Sequence, residues 1–217
     1  MSDIRQHILA HRGLWSGNRS QNSIGAIEEA ISAGFGVEID IRSLNGNLVI
    51  SHDLPDEYSP VLDPDISIWR SISHDTSIAY NVKEDGVSVL LSHLLERVPE
   101  HDGFAFDMSV PETITYVKND VPSALRVSEY ESVDAPLFKL FPNVKRVWLD
   151  SFESDWWMGE SDVLSNMSAY RLYVVSPEIH GRDPRPVWTW FSAALIAGAN
   201  VYLCTDHPEE VAGQCRV

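Results

Sequence analysis

Two short segments of the sequence contain residue types that could transfer protons and hold a phosphate group. His11-Arg12-Gly13 offers an imidazole, a guanidinium and a flexible turn in succession, and Ser51-His52-Asp53 offers a second imidazole. Imidazoles are the most frequent general acids and bases in enzymes, and Arg binds phosphate through paired hydrogen bonds. Two imidazoles on opposite sides of a phosphodiester could act as base and acid in a displacement at phosphorus, with Arg12 on the non-bridging oxygens.

A pair of carboxylates follows in the next apolar run. Glu38 and Asp40 are two residues apart, so in a strand both side chains point to the same face, and Arg42 shares that side. Converging carboxylates repel one another unless a cation or a proton lies between them. Mg²⁺ or Ca²⁺ suits such oxygen ligands better than zinc does. Glu38 and Asp40 are therefore candidate metal ligands, and the alternative is a buried Glu–Arg pair with Asp40 solvated.

Eight short apolar segments that end in polar residues recur along the chain. Most are nearly continuous runs of Val, Ile, Leu, Phe and Tyr, which is typical of strands covered on both faces in a parallel sheet. The eight predicted strands are His7–His11, Gly36–Arg42, Ile78–Lys83, Gly103–Ser109, Ala124–Glu129, Arg146–Asp150, Arg171–Ser176 and Val201–Thr205.

Stretches with helical periodicity separate these strands. The first has its apolar face within Ile24–Ile31, with Asn22 or Ser23 placed to cap the helix and Gly34 to end it. Strands that alternate with helices predict an α/β protein, a (β/α)8 TIM barrel in which residues 1–217 form a single domain. An open, doubly wound sheet is the alternative. Further helices are predicted for Val89–Val98 and for Trp190–Ala199.

One segment interrupts the alternation of strands and helices. Asn45-Gly46 lies between two apolar runs, which is a strong hairpin signal. The hairpin extends the second strand and carries His52 back over the mouth of the barrel. Leu54–Ser77 is rich in Pro, Asp and Ser and is predicted to form a loop over that mouth.

Composition limits the class of ligand. The 16 basic and 32 acidic residues give a net charge of −16, which disfavours nucleic acid and anionic membranes as partners. No apolar run approaches the roughly 20 residues that span a bilayer, and no signal peptide is evident, so we expect no integral membrane segment and a cytoplasmic location. Because the chain as a whole is acidic, a small phosphodiester substrate must be bound by local cationic side chains. The two cysteines, Cys204 and Cys215, are interpreted as structural thiols.

The motifs, taken in order, resemble the glycerophosphodiester phosphodiesterase family. Its pattern has His-Arg-Gly, then Glu-Asn-Ser/Thr at the first helix, then Glu-x-Asp, His-Asp and a closing Thr-Asp-x-Pro. The corresponding segments here are Ala10-His11-Arg12-Gly13, Gln21-Asn22-Ser23, Val37–Arg42, Ser51-His52-Asp53 and Thr205-Asp206-His207-Pro208.

The resemblance implies roles for five of these residues. It implies that His11 and His52 are the acid and base and that Arg12 binds the phosphate. It further implies that Glu38 and Asp40 hold a divalent metal ion, Mg²⁺ or Ca²⁺.

The sequence also departs from the family pattern. Gln21 replaces the usual Glu, and the Glu-x-Lys of strand three, which supplies the third metal ligand, is replaced by Asn81-Val82-Lys83. In this alignment Lys83 is retained, and we expect it to be catalytic, whereas the carboxylate is lost. Asp107, at the end of the next predicted strand, is the candidate that restores a third carboxylate ligand, and the choice between Asn81 and Asp107 stays open.

Three activities are compatible with this pattern. The first is metal-dependent hydrolysis of a small phosphodiester, such as a glycerophosphodiester or a phosphorylated sugar or lipid head group. The second is lyase-type cleavage, in which a substrate hydroxyl attacks phosphorus and a cyclic phosphate forms. The third is a catalytically silent barrel that binds a phosphorylated ligand, which the missing carboxylate at Asn81 favours.

Overall fold

The strands of the protein coincide with the apolar runs of its sequence. The structure, a computed structural model, describes residues 3–17, 19–132, 134–159 and 161–215, with the backbone alone for 161–163. The nine strands are β1 (Ile8–His11), β2 (Gly36–Leu44), β3 (Asn47–Ile50), β4 (Ser77–Val82), β5 (Asp102–Phe106), β6 (Ala124–Val127), β7 (Arg146–Leu149), β8 (Arg171–Val175) and β9 (Val201–Thr205).

Eight of these strands are parallel and follow the order β5-β4-β2-β1-β9-β8-β7-β6. The outer strands β5 and β6 meet at a single parallel bridge between Ala105 and Ser123, where the Ala105 amide donates to the Pro122 carbonyl at 2.8 Å. The sheet is therefore a nearly closed barrel, which confirms the predicted TIM barrel and excludes the open sheet. The carboxyl ends of all eight parallel strands face one mouth.

Helices cover the outside of the barrel. They are α1 (Ile24–Ser32), α2 (Ser88–Leu95), α3 (Val110–Lys118), α4 (Pro136–Leu140), α5 (Ser161–Met167), α6 (Arg185–Ile196) and α7 (Pro208–Gln214). No helix in the described ranges is long and apolar enough to cross a membrane.

Helix α1 forms as its sequence predicts. The Ser23 hydroxyl caps it by accepting from the Ala26 amide at 3.3 Å, and Gly34 follows its end with a φ of +87°. Its apolar face is buried against the barrel. This packing fixes the turn before α1, and that turn carries residues that lie at the mouth of the barrel.

The predicted bounds of two other helices need correction. Helix α2 runs from Ser88 to Leu95 instead of from Val89 to Val98. It buries Leu91 and Leu94, whereas Val89, which the sequence places on its apolar face, is 53% exposed. Helix α6 begins five residues before the predicted Trp190, at Arg185, and ends at Ile196. Pro186 near its first turn has the fixed φ that favours a helix start, a signal that outweighs apolar periodicity.

The hairpin after β2 is confirmed, but the loop after it takes a different course. Asn45 and Gly46 have positive φ values of 51° and 81°, and β3 pairs antiparallel with β2. Because β4 runs parallel to β2 and begins at Ser77, the chain from Leu54 must return to the opposite end of the barrel. Its short 3₁₀ turn buries Ile68 and Trp69 in the same apolar cluster as α1. The prediction that Leu54–Ser77 lies wholly over the mouth is therefore wrong, because its second half replaces a crossover helix.

Candidate active site

A tight turn holds the end of β1 against β2 and α1. Arg12 and Gly13 have φ values of 59° and 89°, and the Arg12 amide donates to the Glu38 carbonyl at 2.9 Å. A Cβ atom at Gly13 would lie 2.6 Å from the carbonyl carbon of Ala26. Only glycine fits this close approach, so the turn fixes His11 and Arg12 at the mouth.

His11 is oriented by a carboxylate from the neighbouring strand. Its Nδ1 atom lies 2.7 Å from Oδ1 of Asp206, and its Nε2 atom lies 3.9 Å from Oε2 of Glu38. An ionised carboxylate only accepts, so Nδ1 donates and Nε2 is left for proton exchange. Burial lowers the pKa of His11, but the hydrogen bond to Asp206 and the negative charges of Glu38 and Asp206 outweigh it, and the pKa is raised.

Glu178 ties the ends of β8 and β9 together behind this pair. Its Oε1 atom accepts from the Thr205 hydroxyl at 2.5 Å and from the Asp206 amide at 3.1 Å, and its Oε2 atom accepts from the Ser176 hydroxyl. These bonds fix the backbone that carries Asp206. Glu178 thereby positions His11 indirectly.

Glu38 and Asp40 point into the barrel from β2, and both are almost completely buried at 1% and 0% exposure. Burial raises the pKa of Glu38, and the nearby charge of Asp40 raises it further. Asn22 holds Asp40 from the α1 side, because its amide donates to Asp40 Oδ2 at 2.8 Å and its oxygen accepts from the Asp40 amide at 3.2 Å. The alternative with Asp40 solvated is therefore wrong.

Two cationic side chains meet at the Asp40 carboxylate. Arg12 Nε lies 3.0 Å from Oδ2, and Lys83 Nζ lies 3.3 Å from Oδ1. Arg12 also donates from Nη1 to the Gln21 oxygen at 3.1 Å. Both cations are about four-fifths buried, at 19% exposure, and hold most of the positive charge on this side of the mouth.

Two buried oxygen atoms here lack a hydrogen-bond donor among the described residues: Glu38 Oε1 and Asn81 Oδ1. The third oxygen of this group, Asp40 Oδ1, has the Lys83 ammonium at 3.3 Å. Asp40 and Asn81 are register partners on β2 and β4. Buried acceptors without partners are costly, and hard divalent cations bind carboxylate and amide oxygens. In the described ranges, no group of three His, Cys, Asp or Glu side chains is placed to hold a metal ion. Asn81 places an amide oxygen on the strand next to that of the two carboxylates.

Asp107 reaches the same mouth from the end of β5. Its Oδ1 atom forms an ion pair with Arg126 Nη1, and its Oδ2 atom lies 3.9 Å from Lys83 Nζ. Lys83 thus lies between Asp40 and Asp107. Asp107 is thus paired with two cations, as Asp40 is.

His52 lies at the rim, beyond the end of β3. Its Nδ1 atom is 2.9 Å from Oδ1 of Asp53, and its carbonyl accepts from Arg42 Nε at 3.0 Å. The His52 side chain is 47% exposed and that of Asp53 is 94% exposed. The pair therefore faces solvent.

A cavity of about 200 Å³ opens at the mouth. On one side it is lined by His11, Arg12, Glu38, Asn81 and Lys83, and Asp107, which follows β5, also lines it. Asp40 is buried behind these residues. The cavity lining does not include His52 in the part of the chain that the structure describes.

The fold is shared with solved structures, whereas sequence comparison finds no relative. No protein-family model matches the chain, and no curated protein matches it.

The chain is similar to crystal structures of three glycerophosphodiester phosphodiesterases. The one from Parabacteroides distasonis ATCC 8503 has 16% identity, a TM-score of 0.66 and 96% coverage of both chains. The one from Thermotoga maritima has 15% identity and a TM-score of 0.68, with 96% of this chain and 97% of that chain covered. The one from Agrobacterium tumefaciens str. C58 has 15% identity and a TM-score of 0.67, with 95% and 97% covered. At this identity the likeness shows the fold.

The far wall of the cavity contains residues that the motifs did not single out. Trp148, Asp150 and Phe152 from the end of β7 form this wall, together with Arg126 from β6 and His180 from the turn after β8. Their signal in the sequence was their position at predicted strand ends. Many polar residues share that position, so it did not distinguish these from the others.

Proposed function

We propose that this protein is a phosphodiesterase that hydrolyses a small phosphodiester with the help of a divalent cation. The observation that supports this most is that an imidazole, two cations and two oxygens without hydrogen-bond donors line one cavity, with the Asp40 carboxylate buried behind them. The three structural neighbours, each named a glycerophosphodiester phosphodiesterase, agree with this proposal.

Arg12 and Lys83 would bind the phosphate group. Both lie at the cavity, and both retain N–H donors that their contacts with Asp40 do not use. A guanidinium can make two parallel hydrogen bonds to phosphate, and an ammonium adds a point charge. Because the whole chain has a net charge of −16, these local cations are what attracts the anionic substrate.

Glu38, Asp40 and Asn81 would hold the divalent cation, Mg²⁺ or Ca²⁺. The donor-free oxygens of Glu38 and Asn81, together with the Asp40 carboxylate, match the preference of these ions for carboxylate and carbonyl ligands. When bound, the cation would neutralise charge on the phosphate oxygens and make the phosphorus more electrophilic. Asp107, paired with Arg126, is the alternative third ligand.

His11 would transfer a proton within the cavity. Asp206 fixes its tautomer and its ring orientation, which leaves Nε2 for the substrate or for water. Displacement at phosphorus also needs a second proton-transfer group. The sequence motifs offer His52 for this role, from the rim of the mouth.

A chromogenic phosphodiester tests the proposal directly. We expect turnover that a chelator abolishes and that Mg²⁺ or Ca²⁺ restores, and we expect His11→Ala to lower it about 100- to 10,000-fold. Metal-independent turnover, or full activity of His11→Ala, would contradict the proposal. A cyclic phosphate among the products would assign lyase-type cleavage instead of hydrolysis.

A binding protein is the second candidate, favoured by one observation. Asn81 supplies a neutral oxygen where the family pattern has a carboxylate, which weakens a metal site. Calorimetry separates the two cases. Tight binding of phosphorylated ligands, without turnover of a broad panel of phosphodiesters, would favour the binder.

A further inference from the structure

The cavity contains a second buried His–Asp pair on its far wall. His180 Nε2 lies 2.8 Å from Asp150 Oδ1, and the same oxygen accepts from the Ser151 amide at 2.8 Å. An ionised carboxylate only accepts hydrogen bonds, so Nε2 of His180 donates and Nδ1 is left for proton exchange. The pair repeats the arrangement in which Asp206 holds His11.

The position of this pair in the barrel differs from that of His52. His180 lies in the turn after β8, two strands from β1 in the ring of eight, and its partner Asp150 follows β7, the next strand. His52 instead follows β3, which pairs with β2, on the other side of β1. An in-line displacement places the entering and leaving oxygens on opposite sides of the phosphorus. Because His180 lines the cavity together with His11, and His52 does not among the described residues, His11 and His180 are better placed than His11 and His52 to serve these two oxygens.

Burial also distinguishes the two pairs. The side chains of His180 and Asp150 are 24% and 10% exposed, against 47% and 94% for His52 and Asp53. The ring of Phe152 packs against His180 with a centroid distance of 5.2 Å. Hydrogen bonds between ionisable groups are stronger away from water, so Asp150 orients its imidazole more firmly than Asp53 does.

The cavity is divided between a phosphate side and an alcohol side. Arg12 and Lys83 line the first, whereas His180 shares the second with Trp148, Phe152 and Arg126, and the Arg126 guanidinium is already paired with two carboxylates. A phosphodiester whose phosphate contacts the cations must extend one of its alcohol groups along the second wall. The cavity is smaller than the 300–1,000 Å³ common for drug-sized ligands, so that alcohol oxygen comes close to the imidazole.

We propose that His180, held by Asp150, is the catalytic residue that donates a proton to the leaving alcohol, as the partner of His11. This inference rests on the proposed function. His11 Nε2 takes a proton from water while the water oxygen bonds to phosphorus. The bond from phosphorus to the alcohol oxygen breaks, and that oxygen takes the proton from His180 Nδ1. A phosphomonoester and an alcohol result, and both imidazoles return to their starting states by proton exchange with solvent.

The test compares two phosphodiesters that differ only in the leaving group. One releases 4-nitrophenolate, which departs without a proton, and the other releases a primary alcohol, which needs one. We expect His180→Gln to lower kcat/KM for the alkyl ester by about 100- to 10,000-fold and for the nitrophenyl ester by less than about tenfold, with KM unchanged. The matched control His52→Gln is expected to change both rates by the same factor.

Three results would overturn the inference. An equal loss with both esters, or a loss confined to KM, would make His180 a binding residue. Selective loss of the alkyl ester in His52→Gln would give the role to His52. Should His180→Gln fail to fold, Asp150→Asn must show the same selectivity, because it removes the group that orients the imidazole. A wild-type protein that hydrolyses neither ester refutes the proposed function itself, which separates that failure from failure of the inference.

Discussion

Replacing Asn81 by Asp should strengthen divalent cation binding. Asn81 Oδ1 is buried without a hydrogen-bond donor among the described residues, as is one oxygen of Glu38. The substitution keeps the size of the side chain and adds one negative charge. A third carboxylate at this position would match the ligand count of the family pattern.

The size of the effect follows from the register of the two strands. Asn81 pairs with Asp40 on adjacent strands, which lie about 5 Å apart. At that distance a unit charge attracts a divalent cation by about 6 to 7 kcal/mol for an effective dielectric of 20. Repulsion from the existing carboxylates and the cost of burying a further charge offset most of this. We expect about 1.4 to 2.8 kcal/mol to remain, a Kd lower by 10- to 100-fold.

Isothermal titration calorimetry of the chelator-treated protein with Mg²⁺ and Ca²⁺ measures this change without relying on activity. Asn81→Leu should weaken binding, because it removes the ligand oxygen altogether. Asp107→Asn is the matched control and should have little effect, because Asp107 follows β5, which β4 separates from the strand of Glu38 and Asp40, and its Oδ1 is paired with Arg126. Unchanged affinity in Asn81→Asp together with lost binding in Asp107→Asn would refute the reasoning and make Asp107 the third ligand.

Further predictions concern the end of β1. Gly13→Ala should lower the free energy of unfolding in urea by more than about 2 kcal/mol, because its Cβ would meet the Ala26 carbonyl carbon at 2.6 Å. Gly17→Ala has a similar positive φ but nothing within 4 Å, so a loss as large in this control would contradict the explanation. Asp206→Asn should lower the pKa of His11 in an NMR titration. The substitution removes the negative charge of Asp206, which raises this pKa, whereas burial, which lowers it, is unchanged. Saturating Mg²⁺ should also lower the wild-type pKa by neutralising a nearby carboxylate, and an unchanged midpoint would argue against a cation at this position.

The fold could be predicted from local signals in the sequence. Buried parallel strands are nearly continuous apolar runs, and eight such runs separated by amphipathic or polar stretches are best satisfied by a closed barrel. The segment after the hairpin was harder to predict, because its Pro, Asp and Ser residues indicate a loop and give no local sign of the short turn that buries Ile68 and Trp69. That turn is held by packing against α1 rather than by its own propensity, and a local pattern does not reveal such packing.

The near half of the site could also be predicted, because its residues are close in sequence. Glu38 and Asp40 share a face by the period of a strand, and His11 is next to Arg12 at a strand end. The far wall depends instead on contacts between distant segments. His180 meets Asp150 across 30 positions of the chain, and no spacing rule relates two loops at the ends of different strands.

The two departures from the family pattern both remove a negative charge from this side of the cavity. Gln21 and Asn81 both place a neutral amide where the pattern has a carboxylate, and Gln21 accepts a hydrogen bond from Arg12 without neutralising it. On this side of the cavity, Arg12 and Lys83 therefore share the charge of Asp40 with fewer competing carboxylates. The expected consequence is weaker binding of a cation alone and a stronger local attraction for phosphate. Under our proposal the cation and the substrate phosphate would then bind together, since the phosphate supplies the negative charge that the protein has given up at this position and thereby helps to bind the cation.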